Sequence, residues 1–132
     1  MICGSLLSRN GKIIIGISIA RSEERGRAVV TQSVEDYIKY KKCNIDMSGI
    51  SNSVVLVDKY LCGGYGKYDD NVVKTIKSVL NDEGIALDTI YTGKAFWGMK
   101  DYIKKNGIRN KKILFIHTGG QPIFFDELRN LF

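Results

Sequence analysis

At 132 residues the chain is one domain at most, or part of one, with an apolar fraction of 44% and a charged fraction of 26% that are ordinary for a folded globular protein. Its formal charge of +6 is spread over predicted helical faces without interleaved aromatics, which fits a solvated basic surface and argues against a nucleic-acid groove. The longest uncharged apolar run, Ile13 to Ala20, is short of the ~20 residues of a membrane span, and Met1 to Leu7 lacks the basic start of a signal peptide, so a cytoplasmic protein with no membrane or nucleic-acid partner is expected.

Taken in chain order, residues 12–19 form a β-branched run that predicts a strand buried on both faces, as in a parallel sheet. Ser22 is placed to cap the next helix, with Glu23 and Glu24 in its first turn. That helix carries Ala28, Val29, Val34, Tyr37 and Ile38 and is expected to end near Lys42; Gly26 is a weak point at its start. Val54–Val57 predicts a second buried strand, followed by the glycine-rich loop Cys62-Gly63-Gly64-Tyr65-Gly66. Asp69 or Asp70 then caps a helix whose Val72, Val73, Ile76, Val79 and Leu80 fall on one stripe at three-and-four spacing.

Ile85–Leu87 is a short apolar piece after Gly84. Thr92 and Gly93 precede a helix that runs from about Lys94 to Lys105 and is stopped by Gly107. Ile113–Ile116 predicts a third buried strand. A last amphipathic helix follows Pro122, with Phe124, Leu128 and Leu131 on one face. Alternating helices and apolar strands predict an α/β, three-layer sandwich around a mainly parallel sheet, in a single unit over 1–132 with no linker. Cys3, Cys43 and Cys62 are odd in number and lack CxxC spacing, which favours free thiols over a disulfide framework or zinc site.

Three polar, glycine-bearing segments are expected at the carboxyl ends of strands, where open α/β sheets bind ligands. They are Gly63–Gly66, Tyr91-Thr92-Gly93-Lys94 and His117-Thr118-Gly119-Gly120. On pattern alone they suit either an anionic, phosphorylated ligand or ordinary turns.

Residues 87–95, Leu-Asp-Thr-Ile-Tyr-Thr-Gly-Lys-Ala, and 113–120, Ile-Leu-Phe-Ile-His-Thr-Gly-Gly, resemble the C-terminal signature of the D-cysteine desulfhydrase and 1-aminocyclopropane-1-carboxylate (ACC) deaminase family. The Gly-Gly-Tyr-Gly loop fits as well. These are pyridoxal-phosphate (PLP) enzymes with the tryptophan synthase β-like fold, so the resemblance implies the C-terminal part of that fold. It also implies a small amino-acid substrate, and PLP as cofactor.

By the same resemblance Tyr65 and Tyr91 face the substrate as catalytic residues. Thr92, Thr118 and Gly119 fall near the pyridine ring. Family deaminases carry glutamate at the position of Thr92, so threonine points to the desulfhydrase branch.

The Schiff-base lysine and phosphate loop of the family lie upstream of Met1, and residues 1–7 resemble the start of the helix that follows that loop. The expectation is therefore a chain without turnover of its own, completed by an upstream half or by a homodimer partner. An ACC deaminase-like protein, a non-catalytic remnant or binding module, and a basic α/β protein binding nucleotide or nucleic acid are the alternatives. His117 closes a predicted strand without a Ser or Cys partner, and Lys94 opens a helix where the family does not put its lysine; neither is expected to be catalytic.

Overall fold

A computed structural model describes residues 1–8, 12–45 and 49–132. Helix α1 (Ile2–Ser8) leads to strand β1 (Ile15–Ile17), and helix α2 (Glu23–Tyr40) and the short α3 (Ile50–Ser53) lead to strand β2 (Val55–Val57). Helices α4 (Asp70–Glu83), α5 (Thr92–Lys105), α6 (Gln121–Asp126) and α7 (Leu128–Leu131) complete the order. The strands pair in parallel, with Ile15 opposite Val55, Gly16 opposite Leu56 and Ile17 opposite Val57.

Helices cover both faces of this pair. Strand side chains alternate, so Gly16 and Leu56 point one way and Ile17 the other. A Cβ on Gly26 of α2 would collide with Leu56, and one on Gly98 of α5 would lie 2.8 Å from Ile17 and from Tyr60. The two helices therefore sit on opposite faces, each brought close by a glycine. Gly26, a weak point by helix propensity, is what lets α2 approach the sheet. The arrangement is an α/β sandwich with a parallel sheet at its centre, as expected.

Local signals mostly match the elements they predict. Ser22 accepts from the Arg25 amide at 3.4 Å, and Asp69 accepts from the Asn71 and Val72 amides at 3.0 Å. Val72, Ile76 and Val79 are buried with Leu87, Phe124 and Leu131 in the main core. A second cluster joins Val34, Ile38 and Ile50 beneath α1. Helix α1 follows the family expectation for residues 1–7. On α2, however, Val29 and Tyr37 are exposed.

Three expectations are corrected. The first strand spans only Ile15–Ile17 and is half-buried; Ile13 is exposed. The apolar run at 113–116 is not a buried strand: it pairs with no strand among the described residues, and Leu114 is 82% exposed. Only Phe115 turns inward, packing edge-on against Phe96 at 5.0 Å. A continuous apolar run becomes a doubly buried strand only when neighbouring strands and helices cover it, and among the described residues no strand pairs with this one. The segment Ile85–Leu87, a short strand or turn by its sequence, is a loop with Leu87 buried. The last helix is two, α6 and α7, divided at Glu127; Pro122 lies in the first turn of α6, where its missing N–H costs nothing, and Leu128 is exposed.

Candidate functional site

The glycine loop after β2, the start of α5 and the turn before α6 converge. Tyr65 and Tyr91, 26 residues apart, bring their phenol oxygens to 2.5 Å. Their rings meet edge-on with centroids 6.0 Å apart. Tyr65 is 62% and Tyr91 36% exposed, so neither is a core aromatic. The hydrogen bond to Tyr65 is the main reason the Tyr91 phenol holds its proton above its ordinary range. Beside Tyr91 lies a concavity of about 460 Å³, lined by Tyr91, Thr118, Gly119, Gly120, Pro122 and Ile123.

Asp88 organises the floor of this region. It is fully buried. One carboxylate oxygen accepts from the amides of Ile90 at 2.9 Å and Tyr91 at 2.6 Å. The other accepts from the Thr92 amide at 2.9 Å and the Thr92 hydroxyl at 2.5 Å. A carboxylate here satisfies unpaired N–H groups at the start of α5 and complements the positive end of the helix dipole. A Cβ on Gly120 would collide with this carboxylate, so the second turn lies directly against it. Gly120 and Gly119 have φ of 100° and 107°, the left-handed region that glycine enters without penalty.

Thr92 and Thr118 part company. Thr118 is exposed, lines the concavity, and its side chain forms no hydrogen bond among the described residues. Thr92 is buried. Its hydroxyl donates to the Asp88 carboxylate and accepts from the Asp88 amide at 2.9 Å, so it does not open onto the concavity. His117 is structural in its contacts: Nε2 is 3.0 Å from the Ala86 carbonyl, and Nδ1 accepts from the Gly119 amide at 3.2 Å. That pattern requires the Nε2–H tautomer and holds the Thr118–Gly120 turn. Lys94 is fully buried, and its ammonium points at backbone carbonyls.

Comparison with known proteins finds similarity to parts of longer chains. A protein of Pyrococcus abyssi, provisionally named a 1-aminocyclopropane-1-carboxylate deaminase, is 34% identical over 125 residues, 95% of this chain and 36% of its own. Its counterpart in Pyrococcus furiosus is 41% identical over 114 residues, 34% of its length. A D-cysteine desulfhydrase of Yersinia pestis is 34% identical over 113 residues, 85% of this chain and 33% of its own. The crystal structure of an ACC deaminase homologue superimposes on 98% of the chain with a TM-score of 0.83 at 31% identity. In sequence and in fold the chain is homologous to part of these D-cysteine desulfhydrase and ACC deaminase proteins. It spans about a third of the length of these relatives. No family profile matches it.

Of the family positions singled out in the sequence, Tyr65, Tyr91, Thr118 and Gly119 gather around one surface. Thr92 supports it from beneath. Asp88 and Lys94 carry much of the local geometry, and neither stood out in the sequence as a site residue. Asp88 had a legible signal: an Asp three and four residues before the first helical amides is a capping pattern. Lys94 had none, because its partners lie 75, 33 and 30 residues away.

Proposed function

We propose that this chain forms one wall of a PLP-dependent lyase site for small amino acids, of the D-cysteine desulfhydrase type. The observation that carries the reading is the Tyr65–Tyr91 phenol pair beside the Thr118–Gly119–Gly120 turn. Gly119 has only open space where a Cβ would stand, so a flat ring can approach the turn. Thr118 offers a hydroxyl able to donate to, or accept from, a ring nitrogen. These features fit one side of a pyridine ring. When bound, PLP supplies the electron sink for negative charge at the substrate's α-carbon.

The chain's own residues do the rest of what is proposed. Tyr91 keeps its proton at neutral pH, so the pair acts as a donor toward a substrate carboxylate or a departing sulfur. The exposed Tyr65 ring is free to contact a substrate held beside Tyr91. For D-cysteine the overall change is elimination of sulfide at the β-carbon, followed by uptake of water to give pyruvate and ammonia. By the family resemblance, position 92 holds threonine where the deaminases carry glutamate, and this favours the desulfhydrase reaction over ACC ring opening. The lysine and phosphate loop of the family are expected from the remaining two thirds of the fold, supplied by an upstream segment or a partner chain, in the cytoplasm. Among the described residues no helix is long and apolar enough to cross a membrane.

The test is complementation. The chain is co-expressed with the part of the Yersinia pestis enzyme outside the matched 113 residues, and PLP absorbance, sulfide and pyruvate are measured with D-cysteine. Ammonia release from ACC is followed in parallel. Sulfide release that Tyr91→Phe lowers, with none from the chain alone, is the expected result. A complex that binds no PLP overturns the cofactor reading, one that consumes only ACC overturns the branch, and turnover by the chain alone overturns the need for completion.

A further inference from the structure

A lysine is an unfavourable residue where Lys94 sits. It lies in the first turn of α5, at the positive end of the helix dipole, and its side chain is 0% exposed. Burial lowers its pKa, partly countered by Cys62 and Asp69 nearby. A buried cation persists only where it is paired or fully hydrogen-bonded. No salt bridge to Lys94 occurs among the described residues; its partners are carbonyls. Nζ donates to Gly64 at 2.8 Å, Leu61 at 3.0 Å and Ile19 at 3.4 Å. Three ammonium protons thus meet three backbone oxygens. Ile19 follows β1, and Leu61 and Gly64 belong to the loop after β2, so the cation ties the two loops at the carboxyl ends of adjacent strands to one helix.

The loop it grips is conformationally costly. Cys62, Gly63, Gly64 and Gly66 have φ of 53°, 87°, 127° and 74°, and a non-glycine residue in that region is uncommon. This backbone brings Leu61 and Gly64 carbonyls onto one cation. Tyr65 comes next in the chain. Its hydroxyl reaches Tyr91, three residues before Lys94. The start of α5 therefore holds the loop at three points, the Leu61 and Gly64 carbonyls and the Tyr65 phenol.

We propose that Lys94 is a tethered monovalent cation, a positioning residue whose ammonium fills a carbonyl cage and sets the Tyr65 loop against Tyr91. An ammonium group and a potassium ion are both monovalent cations that carbonyl oxygens surround. Shortening the side chain should leave a cage that an external cation can refill. The inference deepens the lyase reading by naming what registers the phenol pair. Its test reads loop order rather than turnover, so either reading can fail while the other stands.

Hydrogen exchange is measured by mass spectrometry in Lys94→Ala and the unaltered chain, comparing peptides covering 61–67 and 72–80. Choline, potassium and ammonium chloride are used at equal ionic strength. In choline the variant's 61–67 amides should exchange roughly tenfold faster or more, as expected on losing charge-assisted hydrogen bonds, while 72–80 is unchanged. Potassium or ammonium should restore protection; choline should not. Unchanged loop exchange, or restoration equal in all three salts, overturns the proposal. If Lys94→Ala does not fold, the unaltered chain decides through amine acylation mapped by residue. Lys94 should react last and at the opening rate of the 61–67 loop, whereas reaction as fast as exposed Lys67 or Lys100 overturns the proposal.

Discussion

Removing the Asp88 carboxylate tests the organisation of the site most directly. Four donors converge on it at 2.5–2.9 Å, two per oxygen. In Asp88→Ala the Ile90 and Tyr91 amides regain water, because Ile90 is half-buried and Tyr91 exposed. The Thr92 amide and hydroxyl are buried and have no such recourse. Each buried donor left unpaired costs about 1–3 kcal/mol, so the loss should be about 4 kcal/mol. Asp88→Asn separates shape from charge. One amide face can still accept from two donors, but its NH2 must confront the other two, for a cost of about 2–3 kcal/mol. Urea unfolding followed by circular dichroism measures both, with the midpoint shift read at unchanged slope. A loss below about 1 kcal/mol in the alanine variant, or an asparagine variant as stable as the parent, would refute the hub role assigned to Asp88.

The neighbouring glycines give a paired contrast. Gly119→Ala incurs only backbone strain, because nothing lies within 4 Å of its added Cβ, whereas Gly120→Ala also drives a Cβ into Asp88; by urea unfolding the second should cost more by about 1–2 kcal/mol, and equal costs would show that the turn does not rest on the carboxylate. Tyr60 is buried and donates to Asp101 at 3.0 Å, and burial, then that bond, pushes its phenol up to about 12. The folded state holds this proton more tightly than the unfolded chain, whose phenol titrates near ~10, so the associated stability is intact below that pH and is lost as pH rises through 12. The loss should be about 2–3 kcal/mol, and a Tyr60→Phe variant with the same decline over the window would refute the assignment. Ile76→Ala empties a fully buried site in the main core and should cost about 2–5 kcal/mol in the same measurement.

What could be read from the sequence was whatever depends on near neighbours. The stripe of α4 and the caps at Ser22 and Asp69 are local patterns, and the structure contains them. The family motifs brought Tyr65, Tyr91, Thr118 and Gly119 to one surface although no periodicity links them. The run at 113–116 misled because burial belongs to the surroundings and not to the run: Leu114 is as apolar as Leu87, yet one is 82% and the other 1% exposed. Helix α3, four residues long, left no periodic signal. Lys94 reads only as a lysine that opens a helix, since only the backbone oxygens of distant loops distinguish it.

The segment Thr92-Gly93-Lys94 then acquires a physical reason at each position. Thr92 completes the shell around Asp88. Gly93 is needed because its amide donates to the Asp88 carbonyl at 2.8 Å, while an added Cβ would lie 2.5 Å from that oxygen and 3.0 Å from Ile76. Any side chain there would push α5 away from both the loop and α4. Lys94 uses the closeness so gained to reach carbonyls following both strands. One helix start thereby carries a buried anion that fixes Tyr91 and a buried cation that fixes the loop of Tyr65. Opposite charges serve separate loops, with Gly93 setting the spacing between them. The 2.5 Å separation of the phenols is thus set by two independent anchors, and loosening either one should part the phenols while leaving the α4 core in place.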